Sequence, residues 1–269
     1  MSFGAETTTD EVLDGVDLSG QTVLITGASA GLGQETARAI AAHGGNVVLG
    51  VRNLAKAETA AEPVRAAAAA TGANVELRQV DLESLDSIRA FTDGVNADHA
   101  RLDVIIANAG VMACPEGRTQ DGFETQFGTN HLGHFVLVNR LVPLIRDGGR
   151  VVILSSSAHR VSDVDLDDPG FARTPYSEFV AYGRSKTANV LFAVELDRRL
   201  KVLDIVIRQM IVRVDEAKKV VDTVQTRRRT NSERRRVKRG LPPQRQPGEG
   251  RPAGEPDDQD DDRFDTGEV

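Results

Sequence analysis

The chain has 269 residues, 40% hydrophobic and 27% charged, with no tryptophan and a net charge of −7. That length holds one large domain or two small ones around a real core, and the acidic balance argues against nucleic acid as a partner. Cys114 is the only cysteine, which excludes an intramolecular disulfide and fits a reducing, cytoplasmic setting.

Residues 1–20 are polar and acidic and lack the basic start and apolar run of a signal peptide. No stretch of about 18 apolar residues is present to span a membrane. Val12, Leu13, Val16 and Leu18 pattern as one packed turn. Thr22-Val23-Leu24-Ile25 then reads as a buried strand that stops at Thr26-Gly27, with Gly31 and Gly33 following. Glu35, Ala37, Arg38, Ile40 and Ala41 continue as a helix whose small apolar face suits a sheet. A strand, a glycine turn and a helix N-terminus leave backbone N–H groups aimed at open space, which suits a pyrophosphate. Gly27 lets the chain turn, Gly31 lets it approach the phosphates, and Gly33 allows close helix–strand contact.

The helix ends at Gly44-Gly45. NVVLGVRN (46–53) is a second buried strand, and residues 55–70 read as one alanine-rich helix closed by Thr71-Gly72. Val75 to Val80 gives a third strand ending at Asp81-Leu82. Ser84 caps a helix running to Phe91, and Leu102 to Ala107 is a fourth strand. A long helix is expected over Asp121 to Ile145, capped by Gly148-Gly149. Arg150 to Leu154 is the fifth strand, and Ser177 to Leu200 another long helix. This alternation predicts an α/β fold, a doubly wound parallel sheet of Rossmann type.

At Lys201 the text changes. VLDIVIRQMIV reads as one more strand, but the basic clusters 227–229 and 234–236 follow, then proline, glycine and the acidic run 257–262. Such composition does not order itself, so a disordered charged tail is expected from about Arg227. The arginines suit nucleic acid or an acidic lipid surface, but the acidic run carries opposing charge in cis. The organisation expected is an extension over 1–20, a dinucleotide-binding domain over 21–211 and an off-pattern segment over 212–269.

Tyr182 and Lys186 are four apart on a helix and share a face. A tyrosine titrates near 10. An ammonium beside it favours the phenolate and brings the phenol towards service as a general acid–base. Ser156 lies at the carboxyl end of strand five, where ligands bind in open α/β sheets, although spacing leaves Ser155, Ser156 and Ser157 open. His131 and His134 lack a further ligand to complete a metal site and read as packing or capping groups; no metal is expected. Cys114 has no basic partner to make it a nucleophile.

Thr26-Gly27-x-x-x-Gly31-x-Gly33, Asn108-Ala109-Gly110, Ser156 and Tyr182-x-x-x-Lys186 together resemble the short-chain dehydrogenase/reductase family. FGTNHLGHF, SSSAHR and AYGRSKTANVLF look most like its retinol-dehydrogenase-like branch. The resemblance covers about residues 14–200. It implies Tyr182 as catalytic acid/base and Lys186 as the group that lowers its pKa and binds the nicotinamide ribose. Ser156 would hold the substrate oxygen, and Asn130 would complete a tetrad by fixing a proton-relay water. The turn residues Gly27, Ser29, Ala30, Gly31, Leu32 and Gly33 would cradle the cofactor. Asp81 and Leu82 would meet the adenine, and Asn108, Ala109 and Gly110 would line the floor. Strand two ends in Arg52-Asn53 with no carboxylate, so NADP(H) is expected over NAD(H).

The substrate implied is a small alcohol, aldehyde or ketone, with homo-oligomers possible through the long helices. Beyond Lys201 the family's sixth strand, Pro-Gly turn, substrate loop and seventh strand are not legible. The text breaks as a changed reading frame would break it, so the sheet is expected to be truncated at its C-terminal edge. A catalytically impaired dinucleotide-binding remnant, or an interaction protein using its charged tail, is the alternative function.

Overall fold

The computed structural model describes residues 3–4 and 6–200; the expectations for residues beyond 200 lie outside the described residues. Five parallel strands form one sheet in the order β3-β2-β1-β4-β5. They are β1 Thr22–Thr26, β2 Asn46–Val51, β3 Val75–Gln79, β4 Leu102–Ala107 and β5 Ile145–Ile153. The main helices are α1 Thr9–Leu13, α2 Gly31–Ala42, α3 Leu54–Ala60, α4 Glu62–Thr71, α5 Leu85–Asp98, α6 Thr125–Phe127, α7 His134–Leu141 and α8 Glu178–Leu200.

Alternate strand residues serve opposite faces, as a period of two requires. Leu24, Val48, Ile105, Val151 and Ile153 pack with α5, α7 and α8 through Phe91, Leu137 and Phe192. Val23, Ile25, Val47, Leu49 and Val152 pack with α2 and α4 through Ile40 and Val64. Both faces are covered, which is why the strands read as unbroken apolar runs. The doubly wound parallel sheet is therefore present as expected. Strand order reverses direction at β1, so the connections leaving β1 and β4 run to opposite sides and leave a crevice outside the carboxyl ends of the two paired strands.

Several boundaries differ from the sequence reading. The alanine-rich helix is two helices that share Ala61 as a cap. Pro63 enters the first turn of α4, where its missing N–H costs nothing. α5 runs past Phe91 to Asp98, with Ser84 capping it as expected. The long helix over 121–145 starts later, at Thr125, passes through a π-helical turn at Gly128–Gly133 and stops at Leu141. Pro143 opens a short 3₁₀ turn there, because a proline cannot continue the α-helical ladder. β5 then starts at Ile145. Its register slips against β4 between Leu102 and Val104, and regular pairing resumes at Arg150. The N-terminal turn is α1, closed by a Thr8–Glu11 capping box and tied to α2 by the Arg38–Asp10 pair at 2.9 Å; it is not the packed turn expected, since it buries none of its residues and Val12 and Val16 are exposed.

Candidate active site

The first wall of the site is the β1–α2 turn. Gly27 has φ 69°, and a Cβ there would lie 2.8 Å from Ala109 Cα. A Cβ on Gly33 would overlap the Gly27 carbonyl oxygen and come within 2.5 Å of Asn108 Nδ2. Both positions therefore accept only glycine, and the second brings α2 hard against the loop after β4. Gly31 has φ 57°, a left-handed backbone that favours glycine, and a Cβ there would meet no protein atom, so the space above it is open. Ala30 precedes α2 and offers no side-chain cap, which leaves the first N–H groups of the helix for an anion.

The β1 and β4 loops are joined by one hydroxyl. Thr26 Oγ1 accepts from Asn108 N at 3.0 Å and Ala109 N at 3.1 Å, and lies 2.8 Å from His134 Nε2. His134 Nδ1 faces the Asn130 carbonyl at 3.0 Å. A carbonyl only accepts, so Nδ1 carries the proton and Nε2 accepts from Thr26. Asn108 Nδ2 adds a bond to the Thr26 carbonyl at 2.8 Å.

A cavity of about 420 Å³ opens over this turn. Eleven expected residues line it: Gly27, Ser29, Ala30, Leu32, Gly33, Arg52, Asp81, Leu82, Asn108, Ala109 and Gly110. Gly31, Asn53, Tyr182 and Lys186 do not. Asn53 instead caps α3 by accepting from Lys56 N at 2.9 Å. Arg52 is 69% exposed at the rim, with Nη1 3.1 Å from Glu83 Oε1. The reading missed Glu83, Val111 and Thr129, which also line the wall. Thr129 Oγ1 is buried with no hydrogen-bond partner among the described residues. An orphan hydroxyl, an uncapped helix and two glycines that exclude any Cβ are features that fit a phosphate-bearing dinucleotide.

Next to the Gly110 end of the cavity stand the chemical candidates. A Cβ on Gly110 would lie 3.0 Å from Asn130 Oδ1 and 3.7 Å from Lys186 Nζ. Asn130 is fully buried. Its amide pairs with both backbone atoms of Val111, at 2.8 and 2.9 Å, and donates to Ser185 Oγ at 3.0 Å. Lys186 Nζ lies 5.4 Å from the Tyr182 ring centre and donates to the Leu154 carbonyl at 3.3 Å. Burial lowers Lys186 from 10.5 to about 8. Tyr182 is half-buried, and its hydroxyl has no hydrogen-bond partner among the described residues.

The three serines are now distinct. Ser155 is buried and donates to the Lys186 carbonyl at 2.9 Å, and Ser157 is exposed. Ser156 accepts from Ala158 N at 3.2 Å, which leaves its own proton to give away. Burial, reinforced by Glu124, pushes the Cys114 thiol up, the wrong direction for a nucleophile. Among the described residues no group of three His, Cys, Asp or Glu could hold a metal, and no helix is long and apolar enough to cross a membrane.

His131 is a packing group, and His134 a buried hydrogen-bonded bridge between Thr26 and the Asn130 carbonyl. Phe127, Phe135 and Phe192 surround His131 with ring centres 5.1 to 6.2 Å away. Burial lowers both histidines to about 4, against the opposing bonds from Asn189 and the Asn130 carbonyl. Between pH 6.5 and about 4 the unfolded chain therefore binds protons that the folded chain refuses, so stability falls as pH drops through that window. The expected loss is on the order of 3 kcal/mol for each histidine, with none from either above pH 6.5. Urea midpoints from pH 7 to 4 check this; a flat midpoint would mean that the folded histidines titrate normally.

Residues 21–214 match the short chain dehydrogenase family model. Human retinol dehydrogenase 13 is 44% identical over 186 residues, which cover 68% of this chain and 56% of that protein. The chain thus spans little more than half the length of this curated relative. A solved but uncharacterized protein from Mycobacterium paratuberculosis is 45% identical with a TM-score of 0.63, covering 71% of this chain and 67% of its own. The angucycline C-6 ketoreductase LanV with bound NADP is 25% identical with a TM-score of 0.56, covering 72% of each chain. With a family match from the first strand through the last described helix, on a parallel sheet whose switch point carries the glycine cradle, this chain belongs to the short-chain dehydrogenase family.

Proposed function

We propose that the chain is an NADP(H)-dependent oxidoreductase that moves a hydride between the nicotinamide and a carbonyl or alcohol carbon. The observation that carries the reading is the buried Lys186 ammonium, with a single carbonyl acceptor, 5.4 Å from the ring centre of Tyr182, whose hydroxyl is unpartnered among the described residues. When bound, a nicotinamide would supply the hydride for reduction of the carbonyl carbon. Tyr182 gives its proton to the carbonyl oxygen, and Ser156 donates a hydrogen bond to that oxygen while its charge grows. Lys186 favours the resulting phenolate and has N–H donors to spare for ribose hydroxyls. Asn130 keeps the Val111 wall in place, and its carbonyl is held by His134 and by Asn189 at 3.1 Å.

The α2 N-terminus and the Gly27–Gly33 turn would hold the pyrophosphate, Asp81 and Leu82 the adenine, and Asn108–Gly110 the nicotinamide side. Arg52 would meet the 2′-phosphate. Its pair with Glu83 is exposed and worth little, so a phosphate can displace it. The presence of NADP in the solved LanV ketoreductase supports this choice. A cytoplasmic location and self-association through α7 and α8 are part of the same proposal.

The test is binding and oxidation of NADPH by the full chain over a panel of aldehydes and ketones. NADPH is expected to bind more tightly than NADH, and Arg52→Ala to erase most of that difference. The contact is worth roughly 1.5–3 kcal/mol, about one to two decades in affinity. Equal affinities in the parent would overturn the cofactor assignment. Tight NADPH binding without turnover of any carbonyl would favour the alternative of a dinucleotide-binding remnant.

A further inference from the structure

Two non-glycine residues among those described hold left-handed backbone, Ala113 at φ 47° and Phe171 at φ 56°. Such conformations cost about 1–3 kcal/mol and persist only where the surroundings impose them. Ala113 lies three residues beyond Gly110, and Phe171 lies in the connection from β5 to α8. The same small network holds both, and none of the roles above uses it.

At its centre is the Gln126 amide, fully buried. Its Oε1 accepts from Ala113 N at 2.9 Å. Its Nε2 donates to the Tyr176 hydroxyl and to the Glu178 carbonyl, each at 2.9 Å. The amide is thus engaged at both ends. Tyr176 in turn donates to the Cys114 carbonyl at 3.0 Å, and its ring meets Phe171 edge-on at 5.2 Å. The Arg184 guanidinium covers Phe171 at 3.9 Å and donates to the Asp168 carbonyl at 2.7 Å.

Glu178 is the first residue of α8, and carbonyl i of an α-helix receives the N–H of residue i+4, here Tyr182. One side chain therefore grips the carbonyl that fixes the Tyr182 turn and, at its other end, the strained Ala113, two residues beyond the Val111 wall. Four residues on, the Asn130 amide holds Val111 by both its backbone groups. Together the two amides stand in for a neighbouring strand along Val111–Ala113.

We propose that Gln126 and Tyr176 are positioning residues that set the spacing between the Tyr182 hydroxyl and the Val111–Cys114 segment, whose first residue lines the cavity. The inference rests on the oxidoreductase reading. It is tested in the full chain with Gln126→Met, which keeps length but loses every bond, and with the milder Tyr176→Phe. For both variants kcat is expected to fall about tenfold or more, while the Kd for NADPH stays within about twofold, because neither residue lines the cavity.

Without cofactor or substrate, hydrogen exchange in residues 111–115 and 178–183 is expected to quicken about tenfold, while residues 22–33 keep their protection. Val64→Ala, on the buried face of α4 and away from the cavity wall, serves as a destabilised control that keeps kcat within about twofold. The inference is overturned by unchanged exchange, by kcat within twofold of the parent in both variants, or by an equal loss in the Val64 control at matched stability. A parent that neither binds NADPH nor reduces any carbonyl overturns the functional reading instead, and the inference with it.

Discussion

Tyr182→Phe is expected to cut turnover by about 10³-fold, within the range a positioned general acid supplies, while leaving the fold and NADPH affinity almost untouched. The hydroxyl has no hydrogen-bond partner among the described residues, and the half-buried ring keeps its packing when only the oxygen is removed. Its loss should change stability by no more than about 0.5 kcal/mol. The cavity wall that would carry the dinucleotide does not include Tyr182, so Kd for NADPH should stay within about twofold. Steady-state turnover, cofactor titration and a melting curve on the same preparation give the three readouts. A variant that keeps a tenth of the parent's turnover would mean that the proton comes from elsewhere, with Ser156 the next candidate.

Lys186→Met is expected to separate stability from activity. On the proposed assignment it removes both the cation beside the phenol and the ribose donor, so turnover and NADPH affinity should both collapse. The apo chain, however, should gain stability at pH 7. The folded state holds this ammonium at a pKa of about 8 because it is buried, whereas the unfolded lysine titrates near 10.4. Between those values the unfolded chain binds the extra proton, so the parent's stability rises with pH across that window. Below it the cost of the buried cation is fully present, roughly 3 kcal/mol, offset by about 1 kcal/mol for the Leu154 hydrogen bond. Methionine should therefore raise stability by on the order of 2 kcal/mol at pH 7, and the gap should shrink by pH 10. Denaturant titrations at both pH values decide it; a less stable variant at pH 7 would show that the ammonium is better solvated than its burial implies.

The glycine turn was readable because chemistry and sterics coincide there: positions that must lack a Cβ announce themselves as Gly27 and Gly33. Tyr182 and Lys186 were readable because a four-residue spacing is a helical fact. The register of β5 was not, since Leu102 pairs with Ile145 and Val104 with Arg150, a slip that no local pattern encodes. Nor was the break at Ala61, where a run of good helix formers hid the one informative residue, Pro63. Thr129 and Gln126 escaped for another reason. Each is an ordinary polar residue in a helical stretch, and only the path of the chain shows that one is orphaned and the other fully engaged.

The Thr26 hydroxyl joins backbone groups 82 and 83 residues further along the chain. The dinucleotide cradle is incomplete until β4 has docked beside β1, a closure across a long loop and a late event for a parallel sheet. A nascent chain that has made only β1, α2 and β2 presents the glycine turn without its floor. A cofactor seated there recognises the finished sheet alone, so it acts as a brake on unfolding and gives no guidance to folding. In a cell its abundance would set how long a completed molecule lasts, while the yield of completed molecules would depend on how the chain finds the β1–β4 pairing unaided.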